Sequence, residues 1–206
     1  VRLTWPTLAT QALVTGSPTG ITDAETITVL TDGRVVVRIN SSIRVYDPVA
    51  NSIGAALFTF NQPTNIFNFA SDGTNLFFVD NPLPNFHTNV IQKLTFPAGT
   101  LNATFFTGAV GASIELNAVT SGRLIFQENG AIKSIPKAGI SATLLVPGTA
   151  QVIFVGVTNS TPVKVYANVN TGATATPGSG TWTARVINED STGAASHAGD
   201  SRWVAG

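Results

Sequence analysis

The sequence predicts an all-β protein built from tandem four-stranded β-meanders. Three observations carry this. Apolar residues fall in short runs or alternate with polar ones, and helical periodicity is nearly absent. Gly, Pro, Asn and Asp bound those runs, which is the pattern of strands and turns. A tight turn leading into an apolar strand then recurs about every 40 residues.

The recurring unit is clearest at Thr31-Asp32-Gly33-Arg34-Val35-Val36, Ser71-Asp72-Gly73-Thr74-Asn75-Leu76-Phe77 and Thr120-Ser121-Gly122-Arg123-Leu124-Ile125. Fainter copies are Asn159-Ser160-Thr161-Pro162-Val163 and Gly199-Asp200-Ser201-Arg202-Trp203-Val204. With Gly33, Gly73, Gly122, Ser160 and Asp200 as equivalents, the spacings are 40, 49, 38 and 40 residues. Asp-Gly favours a tight hairpin because Gly accepts a positive φ and Asp tolerates it.

Each turn sits inside a four-strand phrase. The first repeat, 22–60, holds Thr26–Leu30, Val35–Ile39, Ile43–Tyr46 and Ala56–Phe60. Val35-Val36-Val37 is apolar on both sides and reads as a strand covered on both faces. The second repeat, 61–107, holds Asn65–Ala70, Asn75–Val79, Val90–Phe96 and Asn102–Phe106. Pro97-Ala98-Gly99 is its last turn, and its extra length falls in Asp80–Asn89. Here Leu76-Phe77-Phe78-Val79 is the doubly covered strand. The third repeat, 108–147, holds Ile114–Val119, Leu124–Gln127, Ile132–Ile135 and Thr143–Val146. In the fourth, 148–190, the run Val152–Val157 precedes Val163, Val165, Ala167 and Val169. Those four alternate with Lys164, Tyr166 and Asn168, which predicts one buried and one wetter face. At the ends, Leu3–Leu8 and Gln11–Thr15 read as third and fourth strands; Ala195–Ala198 and Trp203–Ala205 read as first and second. Segments 1–16 and 195–206 are therefore expected to share a fifth sheet, closing the single domain 1–206 and hiding its open edges.

Such units resemble the blades of a β-propeller. The nearest likeness is to the degenerate blades of the TolB and YncE type, where a Ser/Thr-Asp-Gly turn joins the two inner strands. The resemblance runs from Thr22 onward and concerns the fold. It implies about four to five blades in this chain, as a small ring or as part of a larger propeller. The Trp-Asp signature of WD40 repeats is absent. A β-sandwich is the alternative arrangement of the same strands.

Composition narrows the function classes. Of the 206 residues, 43% are hydrophobic and only 11% are charged, enough for a packed core and unlike a disordered chain. Lys+Arg and Asp+Glu each total 11, so the balance offers no footprint for nucleic acid. No basic run holds the chain to an anionic membrane, and no apolar stretch approaches the roughly 20 residues of a spanning helix. Cysteine is absent, which removes disulfides and thiolate metal sites. The chain begins at Val1 and holds no Met, which predicts a processed mature protein or a piece of a longer one. Richness in Thr, Asn, Gly and Ala with few Lys and Glu points to an exported protein, extracellular, periplasmic or on a bacterial cell surface.

The residues that bear chemistry are sparse. His87 lies in a polar loop, and Ser196-His197-Ala198-Gly199-Asp200 is a strand-and-turn run whose side chains diverge rather than form a triad. No Gly-x-Ser-x-Gly elbow is present, and two histidines without cysteine give no zinc set. One grouping stands out. Inter-blade connections and second-to-third-strand loops would place Asp23, Glu25, Asp80, Glu128, Glu189 and Asp190 on one face with no Lys or Arg. That acidic face is a candidate for calcium or a basic partner. Trp5, Phe86, His87 and Trp182 are candidates for stacking on a glycan or a protein. No catalytic residue and no required cofactor emerge. The function expected is a non-catalytic binding or scaffold module for a protein or glycan. The alternatives are a fragment of a lactonase-, lyase- or quinoprotein-like propeller enzyme, and a fibre or surface-assembly subunit. Remaining blades of a longer chain, or copies added through edge strands, complete the expected partners.

Overall fold

A computed structural model describes residues 2–4, 9–11, 24–60, 69–79, 89–148, 151–158, 160–170, 182–192 and 195–200. Side chains are described within 27–60, 69–79, 89–148, 152–158, 160–170 and 182–192. Every regular element among these residues is a β-strand. Arg2–Thr4 (β1) and Ala9–Gln11 (β2) pair with each other. Four larger antiparallel sheets follow, each made of consecutive strands. The first contains Ala24–Val29 (β3), Val35–Ile39 (β4) and Ser42–Asp47 (β5). Its outer position is divided between Ser52–Ile53 (β6) and Phe58–Thr59 (β7). The second contains Phe69–Ser71 (β8), Asn75–Val79 (β9), Val90–Thr95 (β10) and Thr100–Thr107 (β11). The third contains Ile114–Val119 (β12), Arg123–Glu128 (β13), Ala131–Pro136 (β14) and Thr143–Val146 (β15). The fourth contains Gln151–Val157 (β16), Lys164–Asn170 (β17), Trp182–Asn188 (β18) and Ala195–Asp200 (β19). These four-stranded meanders are propeller blades, and the chain is all-β.

The core lies between the sheets. Successive strand side chains point to opposite faces, so one strand feeds two interfaces. Val36, Ile43 and Phe60 of the first sheet pack with Leu76, Phe78 and Leu94 of the second. The alternate residues of β9, Phe77 and Val79, pack with Leu124 and Phe126 of the third sheet. Ile125, between those two, packs with Val165, Ala167 and Val169 of the fourth. All five residues of β9 are buried, which is why Leu76-Phe77-Phe78-Val79 has no polar side. In β17 the alternation shows as buried Val165, Ala167 and Val169 beside exposed Tyr166. Edge-to-face contacts among Phe58, Phe60 and Phe78 fill the first interface, with centroids 4.7 to 5.7 Å apart.

Three expectations change. The predicted strand Ala56–Phe60 is replaced by the divided edge, because 54–57 carries one residue more than the stretch of β5 it faces. Its backbone still bonds to β5: Gly54 N donates to Val45 O and Leu57 N to Ile43 O. Residues 195–200 pair with β18 as the outer strand of the fourth sheet rather than opening a fifth. The physical reason is the insertion 171–181 between β17 and β18. It displaces the last two strands of the repeat, so the run at Asp200 is not a first-to-second-strand turn. Finally, β1 pairs with β2 and not with 195–200 among the described residues. The rest of the expected terminal strands lies outside the described residues.

Candidate functional site

Antiparallel meanders place loops at two ends. First-to-second and third-to-fourth turns share one end, here termed the turn end. Second-to-third turns and inter-sheet connections share the other, the connection end.

The turn end is built from polar latches. Asp72 caps its own turn: its carboxylate accepts from Thr74 N at 2.9 Å and Asn75 N at 2.7 Å. Lys137 of the third sheet reaches the same carboxylate at 2.7 Å. Burial raises the Asp72 pKa, but Lys137 and the two amides outweigh it and hold the carboxyl at about 2. Lys93 donates to Lys137 O and lies over the Phe77 and Phe105 rings, 5.9 and 5.6 Å from their centroids. One step along, the Thr120 hydroxyl donates to Glu189 and the Ser134 hydroxyl to Glu189 O, joining the third and fourth sheets. Thr31 N donates to Gly73 O across the first and second.

An open groove of about 290 Å³ lies at this end of the first sheet, lined by Asp32, Gly33, Arg34, Asp47, Pro48 and Val49. Arg34 grips Asp32 through Nε at 2.9 Å and a terminal nitrogen at 2.7 Å. Those bonds lower the Asp32 pKa. Asp47 accepts from Val49 N and Ala50 N, which shapes the turn and thrusts Val49 into solvent, 95% exposed. The equivalent turn of the third sheet presents Ile140, 97% exposed, with φ at +93°. A β-branched residue there is strained, and an aliphatic side chain held in water gains nothing from folding.

The predicted acidic grouping does not form as expected. Glu128 stands at the connection end, 5% exposed. It accepts from Ala109 N at 2.6 Å and pairs with Lys133. Burial raises its pKa, and the Lys133 ammonium and the Ala109 amide more than reverse that. It is therefore locally neutralised. Glu189 and Asp190 stand at the opposite end, because 189–192 is a third-to-fourth-strand turn. Asp190 accepts from the Thr192 hydroxyl and amide, which lower its pKa. Among the described residues no three of His, Cys, Asp and Glu converge as a metal-ligand set. Asp23, Asp80, Trp5, Phe86 and His87 lie outside the described residues, as do the side chains of Glu25 and His197. Trp182 lies on the fourth sheet, opposite Asn170, and not at the turn end.

The sequence reading missed Val49 and Ile140. The available signal was an aliphatic residue inside a turn flanked by Asp-Pro or following Ala-Gly. The chain has structural likeness to propeller proteins. The N-terminal domain of Nup159 matches 81% of this chain over 45% of its own, at 12% identity and a TM-score of 0.49. The tricorn protease matches 82% over 21% of its own, at 12% identity and 0.43. The extracellular domain of a hybrid two-component system from B. thetaiotaomicron matches 83% over 29% of its own, at 12% identity and 0.39. The chain thus spans less than half the length of each. No protein-family model matches it, and no curated protein does.

Proposed function

We propose that the chain is a non-catalytic module that binds a protein partner against the turn end of its sheets. The observation that supports this is the pair of near-fully exposed aliphatic side chains, Val49 and Ile140, on two turns of that end, against the single Val110 at the connection end. Ile140 keeps its place despite a backbone angle that favours glycine. The nearby charges at Asp72, Lys137 and Glu189 are spent on joining sheets, which leaves the apolar tips, the Asp32–Arg34 groove and the exposed Asp190 to meet a ligand. The compartment proposed with this reading is extracellular or periplasmic, supported by the richness in Thr, Asn, Gly and Ala with few Lys and Glu.

The test is selection of peptides from a random library on the immobilised chain. Selected peptides should lose about tenfold in affinity or more against Val49→Asp and against Ile140→Gly. Ile140→Gly should at the same time stabilise the fold by about 1 kcal/mol, read as a higher urea midpoint. Peptides indifferent to both substitutions, glycans bound in their place, or a metal retained stoichiometrically through purification would each overturn the reading.

A further inference from the structure

The third-to-fourth-strand turns of the four sheets fall side by side at the turn end. The second and third of them pack on the sheet before: Gly99 lies against the Leu57 side chain, and Gly139 lies beside the Phe105 ring. Three of these turns in succession present small apolar residues. They are Val49-Ala50 in the first sheet, Pro97-Ala98 in the second, and Ala138 with Ile140 in the third, all exposed. Valine, alanine and isoleucine are not residues that turn formation favours, so the turns themselves do not account for this row. The fourth turn ends it with Asp190, Ser191 and Thr192, all exposed.

Charge along the row is uneven. In the groove of the first sheet, Asp32 and Asp47 share the lining with one guanidinium, that of Arg34. Arg34 is engaged by Asp32, while Asp47 bonds to the amides of Val49 and Ala50. One negative charge is therefore left over beside Val49. Further along, Lys137 neutralises Asp72, and Lys93 is held by Lys137 O and two phenylalanine rings. At the last turn Lys164, bonded to Asn188, and Arg123 balance Glu189 and Asp190 in number. Among the described residues the apolar row is thus negative at one end only, the first sheet.

We propose that the partner of the turn end is one elongated protein segment that crosses all three apolar turns, with a Lys or Arg seated in the groove beside Val49. This rests on the reading of the turn end as a protein-binding surface and names the chemistry of its partner. Stacked sheets lie about 10 Å apart, so the row from Val49 to Ile140 covers roughly 20 Å. An extended segment of about six residues spans that distance. Its apolar side chains cover Val49, Ala98 and Ile140, and its cation meets the carboxylates of Asp47 and Asp32. The groove, about 290 Å³ and open to solvent, takes the stem of such a side chain against Pro48 and Val49. Charge also fixes direction: the basic end of the segment lies on the first sheet and the apolar end on the third.

The test uses peptides selected from a random library on the immobilised 206-residue chain, with association and dissociation rates read by surface plasmon resonance. Selected sequences should carry Lys or Arg at one end of an apolar run. Raising salt from about 50 mM to about 500 mM should slow their association with wild type. Asp47→Asn keeps an oxygen for the two turn amides. It should slow association about threefold, leave dissociation nearly unchanged and flatten the salt dependence. Ala98→Arg, between the two aliphatic tips, should cost about tenfold in affinity, because it stands in the path of a crossing segment. Wild-type salt dependence carries the charge test if Asp47→Asn fails to fold, and Ala98→Glu replaces Ala98→Arg on the same ground. Peptides that need Val49 and Ile140 yet bind the Ala98 variant as they bind wild type would overturn the crossing segment. Association indifferent to salt and to Asp47→Asn would overturn its basic end. Either result leaves the turn-end reading in place, whereas peptides indifferent to substitution of Val49 and Ile140 would overturn both.

Discussion

Asp72 shows how much one side chain carries at the turn end. It closes its own turn through two amides and ties that turn to Lys137 of the next sheet. Its folded pKa of about 2 lies below the ordinary 3.8, so the carboxylate stabilises the fold fully above the unfolded value. That contribution is lost as pH falls through the folded value. The stability gap between wild type and Asp72→Asn should therefore be full at neutral pH and shrink between about pH 4 and pH 2. Urea midpoints of both proteins across that window measure it, and a gap that stays constant would refute the assignment. The sequence displayed Asp72-Gly73 as a turn. It could not display Lys137, which lies 65 residues away and arrives only when the sheets stack.

At the scale of the element, β9 is the clearest case of sequence dictating placement. Four consecutive apolar residues need two apolar environments, and the flanking sheets supply them. Phe77 and Phe78 are covalent neighbours, yet they belong to different interfaces. Substitution to leucine should cost about 1 kcal/mol at each site, and the double substitution should be additive within about 0.5 kcal/mol. Chemical denaturation of the two single variants and the double variant checks this. Strong coupling would mean that the two interfaces relax together. Strands with two apolar faces, such as β9 and β13, were legible because burial is written into their composition. The fourth repeat is less so: residues 171–181 lengthen the connection between β17 and β18, so β19 reads from sequence as the start of another sheet although it pairs with β18. The acidic grouping failed for the same reason, since an error of one strand moves Glu189 and Asp190 to the other end of the sheet.

For the molecule as a whole, stability is a sum over neighbours. Among the described residues each core cluster is shared by two adjacent sheets and by no third. The second and third sheets are covered on both faces, whereas the fourth presents Ile153, Val155 and Tyr166 to solvent. Amide exchange should therefore be slowest in β9, β10, β13 and β14 and faster in β17. Uniform protection across the four sheets would show that the chain opens as one unit instead. Periodicity and turn spacing made the repeated sheet legible. The exposed tips Val49 and Ile140 are only faintly legible, as aliphatic residues set in Asp-Pro and Ala-Gly turns, because such a turn does not by itself distinguish a side chain facing water from one folded beneath it.

The meander within each sheet has a mechanical consequence. The chain enters a sheet at its inner strand and leaves at its outer strand, both at the connection end, so tension along the polypeptide acts across the strands. Inter-strand hydrogen bonds are then loaded in turn and not in parallel. Resistance to traction must come instead from the latches at the far end, Asp72 with Lys137 and Thr120 with Glu189, which bind each sheet to the next where the pull does not reach. A sheet drawn from the stack would peel like a zip from its outermost strand, while its neighbours stayed clasped.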